Sequence, residues 1–409
     1  MSWSIAAIQW SRMVGTPVDH MVQRFCREII DNLCCVLVQY RSKYLTMIDL
    51  ELEELQRIYD TKIPNSNIIS CNFGNSPLVR IAICENGPNR QVAACLRFPA
   101  GYPAEPILVE LKSRSLSVKF LDALAVLAEK QTQQHVGKPQ CLIVIRFIQQ
   151  YLHENPLCVC FEEIQQLRRD LGVDASPDQL KLKQRHSIVQ LTAKGGEYFY
   201  KVTALVPNDY PKCCVYLQEQ TSNLPAVLRR YLNGQSREIA RQCVEPPLKK
   251  KEHEAFQPTP SLYRSLKFCL AATSDFHLEL CPICNKEVLP KQPSRLELDD
   301  NKDSYLERVY CGHLFHQGCL KIYLQQPPFP KGGKLCPAKT RHPRSDANYY
   351  VVSFSRSAKQ PNINVDTGDT CGIRLAHDRW VVDIKLAESR WAQKQARERE
   401  LEEVVDFLK

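Results

Sequence analysis

The sequence predicts an α+β fold built from two α/β sandwich modules, a small metal-binding module and a C-terminal helix. Three observations predict it. An order of helix, short strands, proline turn and helix occurs twice; paired cysteines and histidines crowd between residues 281 and 342; and a charged helical pattern runs on from Ala387.

In chain order, Met21, Val22, Phe25, Ile29, Leu33 and Leu37 recur at helical spacing, so residues 1–45 read as a helical extension. The first sandwich, 46–155, opens with the helical pattern LELEELQRIYD at 50–60, which stops at the turn residues of TKIPNSN. Strand-like runs follow at 78–84 and 91–98. Pro99, Pro103 and Pro106 exclude a helix and leave a turn into a strand at 107–111. Two helical patterns, VKFLDALAVLAEKQTQQHV and CLIVIRFIQQYLHEN, cover one face of that sheet. The second sandwich, 156–245, repeats the order with a helix at 162–171, alternating strands around KGGE, the turn VPNDYP and a helix to Val244. Residues 246–275 read as a proline-rich, charged linker and a short helix, 276–350 as the metal-binding module, and 351–409 as a segment carrying an amphipathic helix.

Composition sets the surroundings. The 409 residues are 44% hydrophobic and 24% charged, apolar enough for several ordinary cores. A formal charge of +9 is thin over such a length and argues for neither nucleic acid nor membrane. No run approaches the roughly 18 unbroken apolar residues of a membrane helix. The opening MSWSIAAIQWSRM lacks the pattern of a signal peptide. The expectation is a cytoplasmic and/or nuclear protein whose 19 cysteines stay reduced. Cys26, Cys34, Cys35, Cys84, Cys95 and Cys141 lie among apolar neighbours and read as small core residues.

The chemistry-bearing residues are Cys281, Cys284, Cys311, His313, His316, Cys319, Cys336 and His342. Two cysteines separated by two residues close a tight loop on one ion, and His316 with Cys319 repeats that spacing. Scattered core thiols would not explain the two histidines. The series therefore reads as a zinc module.

Two resemblances follow from these residues. LEELQRIY, Tyr102-Pro103 with Pro106, and VPNDYP with Tyr210-Pro211 resemble the RWD domain, a relative of the ubiquitin-conjugating enzyme fold, in two copies over residues 46–245. No His-Pro-Asn stretch precedes a cysteine, and Cys213 and Cys214 have no nearby base, so both copies read as binding modules. In both, the tyrosine is expected to pack over the proline turn. The pattern C-x2-C, C-x-H-x2-H-x2-C and Cys336-Pro337 resembles the RING finger of ubiquitin ligases.

That resemblance implies two zinc ions in interleaved sites. Cys281, Cys284, His316 and Cys319 would hold one; Cys311, His313 and Cys336 would share the other with an eighth ligand. Lys339 stands where a last cysteine is usual, and an ammonium has no lone pair to offer, which makes His342 the expected substitute, with Asp346 behind it. It also implies contact with a conjugating enzyme through Ile283, Tyr323 and Pro337.

The whole arrangement resembles RING-type E3 ubiquitin ligases with a double RWD region, a Fanconi anaemia complementation group L-like architecture. It implies a transferase without a covalent intermediate and hence no catalytic side chain, with RWD modules that recruit a substrate or adaptor. The alternative is a non-catalytic RWD and zinc-finger scaffold. The module has no basic recognition helix, which argues against nucleic acid.

Overall fold

The computed structural model describes residues 48–55, 57, 66–72, 78–84, 88–172, 176–246, 256–339, 371–375 and 378–408; the stripe from Met21 to Leu37 lies outside them. The architecture is α+β, with antiparallel sheets and a C-terminal helix, and the chain divides between His153 and Glu154 into two compact units.

In the first unit, α1 (residues 48–55) buries Ile48, Leu52 and Leu55 at helical spacing. A four-stranded antiparallel meander follows: β1 (Ser66–Asn72), β2 (Leu78–Cys84), β3 (Gln91–Arg97) and β4 (Leu108–Lys112). Alternation sends Val79, Ile81 and Ile83, Val92, Ala94 and Leu96, and Val109 and Leu111 into the core. Helix α2 (Val118–Gln133) packs on β4, and α3 (Cys141–Glu154) buries Val144, Ile145, Ile148 and Leu152. The proline turn is pinned by polar groups. The Tyr102 hydroxyl donates to Glu51 Oε2 and accepts from the Gln140 N–H at 3.1 Å, while Glu51 Oε1 accepts from the Cys141 N–H at 2.5 Å.

The second unit repeats this plan. After α4 (Phe161–Leu171), β5 (Leu180–Lys183), β6 (Ile188–Gly195), β7 (Tyr198–Leu205) and β8 (Tyr216–Ser222) form another antiparallel meander. Helices α5 (Ala226–Val244) and α6 (Leu262–Phe276) complete it. Here the Tyr210 hydroxyl donates to Glu163 Oε2 and accepts from the N–H groups of Ser261 (2.8 Å) and Leu262 (3.1 Å), and Glu163 Oε1 accepts from the Tyr263 N–H (2.9 Å). A carboxylate on the first helix, the tyrosine of a proline turn and the start of a later helix, α3 or α6, are thus joined in both units. Backbone N–H groups at a helix start have no partner within the helix, and these side chains supply one. Burial raises both the Glu51 and Glu163 carboxyls above their ordinary range, against the pull of those hydrogen bonds.

Helix α6 corrects the expected boundary. The sequence places residues 246–275 outside the sandwich, whereas α6 packs on β6, α5 and α4, and its start meets Tyr210 and Glu163 as the start of α3 meets Tyr102 and Glu51 in the first unit. Its approach to the sheet is close: a Cβ on Gly195 would stand 2.1 Å from the Thr273 carbonyl oxygen. The expected separation of this sandwich from the metal-binding module also gives way. One apolar core runs from Leu157 through Leu266 and Phe276 to Val288, Phe315, Leu320 and Trp380. Tyr198 donates to the Pro290 carbonyl at 2.8 Å, and the Arg308 guanidinium lies 3.3 Å over the Tyr231 ring. The last helix, α8 (Val381–Leu408), has no buried residue among those described. No helix of the described residues is long and apolar enough to cross a membrane.

Candidate metal centre

Cys281 and Cys284 sit in a reverse turn closed by the Asn285 N–H on the Cys281 carbonyl (2.8 Å) and the Cys281 N–H on the Lys286 carbonyl (2.9 Å). Asn285 takes the left-handed conformation, φ 55°, that asparagine tolerates well. The next ligands lie on a hairpin of β9 (Leu306–Arg308) and β10 (Leu314–His316), followed by α7 (Gln317–Gln325). Cys311 and His313 occupy its turn, separated by Gly312 at φ +89°, a backbone conformation that side-chain-bearing residues rarely adopt. His316 ends β10 as the N-cap of α7, and Cys319 is in the helix's first turn; three residues apart, they face the same way.

These elements build two groups of four donors. Cys281, Cys284, His316 and Cys319 form the first, and Cys311, His313, Cys336 and Cys371 the second; within each, all ligand atoms lie within 4.8 Å of one another. The groups interleave along the chain, because the hairpin presents its turn to one and its far end to the other. In the first, His316 Nδ1 is 3.3 Å from Cys284 Sγ and 4.0 Å from Cys319 Sγ. In the second, His313 Nδ1 is 3.2 Å from Cys311 Sγ and 3.6 Å from Cys336 Sγ. A tetrahedral ion with N and S bonds of about 2.0 and 2.3 Å sets an N-to-S edge of roughly 3.5 Å, so the spacing and the three-sulfur, one-nitrogen donor sets are compatible with zinc.

The surroundings orient the donors. His316 Nε2 lies 3.2 Å from the Glu287 carbonyl, to which it donates, and this turns Nδ1 toward the sulfurs. Burial pushes the Cys281 thiol up, but hydrogen bonds from His316 and neighbouring N–H groups outweigh it and bring it down to about 6. Hydrogen bonding with Cys336, joined by that of His313, brings Cys311 down to about 4 despite its burial. The Cys281 contact holds the His316 imidazole up at about 9. Each cluster therefore holds a cysteine with thiolate character, the negative charge that a bound cation would satisfy.

Seven of the eight expected ligands fall into these groups. The eighth donor is Cys371; His342 and Asp346 lie outside the described residues. Cys371 arrives because residues 371–375 run antiparallel to 334–338, with the Cys336 N–H on the Ile373 carbonyl, the Cys371 N–H on that of Ala338 and the Leu375 N–H on that of Lys334, each at 2.8 Å. It stands 35 positions beyond Cys336 and is the one cysteine after it in the sequence, a signal that local spacing rules pass over. Lys339 is exposed.

Ile283, Tyr323 and Pro337 are all half-buried. Ile283 and Tyr323 pack against the protein's own core. The Tyr323 hydroxyl donates to the Leu335 carbonyl at 2.9 Å, and the ring lies 4.6 Å from the Lys334 ammonium. Lys334, a residue the motif does not mark, is buried and donates to the Tyr323 and Gln326 carbonyls at the end of α7, where a cation complements the helix dipole. Burial lowers its pKa.

No known protein family model and no curated protein matches the chain.

Proposed function

We propose that this protein is a RING-type E3 ubiquitin-protein ligase with two RWD-like modules. The observation that carries the reading is the interleaving of two Cys3His donor groups across the β9–β10 hairpin, with Ile283 in the first loop, Tyr323 on the following helix and Pro337 beside the seventh ligand. Two zinc ions would supply structural cross-links and no reaction step. The half-buried Ile283, Tyr323 and Pro337 would offer an apolar contact to a ubiquitin-charged conjugating enzyme, while the RWD-like modules recruit a substrate or adaptor. Rate enhancement would come from holding the thioester near an acceptor amine.

Packing of Ile283 and Tyr323 into the protein's own core favours a second reading, a non-catalytic interaction scaffold in which the metal-binding module is structural. A reconstituted reaction with activating enzyme, a panel of conjugating enzymes and ubiquitin separates the two. Under the ligase reading, the chain accelerates thioester discharge from at least one conjugating enzyme, and Ile283→Ala weakens both binding and discharge while leaving metal content unchanged. Lack of acceleration across the panel supports the scaffold.

A further inference from the structure

The faces of the two sheets that point away from the buried cores differ in charge. On β2 to β4 the outward positions mix Arg80 and Arg97 with Glu110 and Lys112. On β5 to β8 they carry Lys181, Lys183, Lys194 and Lys201 and no acidic side chain, since Glu219 lies opposite the buried Val202 and pairs with Arg229 of α5 at 2.5 Å. Asp178, just before β5, pairs with Lys181 at 2.9 Å, and the face stays basic. At one end of it the strand register lines up Lys183, Ile188, Leu205 and Tyr216. Leu205 and Tyr216 are 43% and 59% exposed, so the row is an apolar strip about 14 Å across with lysines at its β5 end.

Helix α8 offers the complementary surface. From Ala396 to Leu408 every residue is exposed. Its last nine residues, 400–408, form about 13 Å of helix and carry four acidic and no basic side chains, with Lys409 beyond them. Leu401, Val404, Val405 and Leu408 recur there at helical spacing, each at least 50% exposed, and Glu400 and Glu402 flank the stripe they make. An apolar stripe with acidic flanks thus matches, in length and in charge, an apolar row with a basic edge. Both surfaces are exposed in the same chain, so neither covers the other there.

We propose that the acidic end of α8 docks on the lysine-bearing face of β5 to β8 in a second copy of this chain, and that two copies do so reciprocally in a closed dimer. Leu401, Val404, Val405 and Leu408 cover Ile188, Leu205 and Tyr216, and the flanking glutamates face Lys181 and Lys183. This pairing is independent of ligase activity.

Sedimentation of the full chain, with metal content and circular dichroism as folding controls, is expected to show a wild-type dimer. Lys181→Glu with Lys183→Glu, and Glu400→Lys with Glu402→Lys, alter exposed positions only. Each double variant alone should self-associate roughly tenfold or more weakly, because both seats then set like charges together. An equimolar mixture of the two should recover the dimer, since each seat again joins opposite charges. A wild type that stays monomeric at about 100 μM overturns the proposal and leaves the lysine face to an acidic segment of another protein. Variants that associate as the wild type does, or a mixture no tighter than either variant, overturn it as well.

Discussion

At the scale of single residues, the donor that completes the second metal group carries the clearest test. Six candidate ligands were legible because CxxC, CxH and HxxC spacings each bring donors together within one loop or helical turn, and Cys336 through its place in the RING-like pattern. The eighth was not, because its partner segment is adjacent only through strand pairing. Cys371→Ser is expected to reduce bound metal from two ions per chain to about one, while His342→Ala keeps two, as measured by elemental analysis of the purified protein. Glu163 provides a second test. Its folded pKa lies above the ordinary value of 4.5 because of burial. A raised folded pKa means that the native state holds the proton more strongly. The resulting stabilisation is complete below the unfolded value and is lost as pH rises through the folded one. The stability of wild type relative to Glu163→Gln should therefore fall as pH climbs above about 4.5, in denaturant titrations run on both proteins at each pH.

Secondary elements show where sequence patterns suffice. Strands β2, β3, β6 and β7 and helices α2, α3, α4 and α5 follow from alternation, helical spacing and proline punctuation, each a local property of the chain. The role of α6 does not. Its own sequence reads as a helix, but nothing in that stretch says it will lie across β6, and the proline-rich segment before it resembles a linker. Gly195 marks the crossing. Gly195→Ala should destabilise the second unit by about 1–3 kcal/mol, because its Cβ must displace backbone of α6, not a yielding side chain. A lowered midpoint for loss of α6 amide protection would show it.

On the scale of the whole molecule, the metal-binding module and the second sandwich share one core, so the energy of metal binding is expected to reach the sandwich. Stripping metal with a strong chelator should increase hydrogen exchange in the module and also in β6 and α6, which carry no ligand. Unchanged protection in β6 and α6 would show the two parts to be energetically independent.

The sequence by itself determined the α+β composition, the repeated helix–meander–turn–helix order and seven candidate metal-ligating positions, because propensity, periodicity and ligand spacing act over a few residues. Tertiary structure alone decided that Cys371 joins the second donor group, that α6 belongs to the second sandwich and that one core spans sandwich and metal-binding module. It also gave each Tyr-Pro turn its polar partners, Glu51 in one unit and Glu163 in the other. Those outcomes depend on groups brought together from 35 to 100 residues apart, where burial and hydrogen-bond satisfaction, not local preference, select the partner.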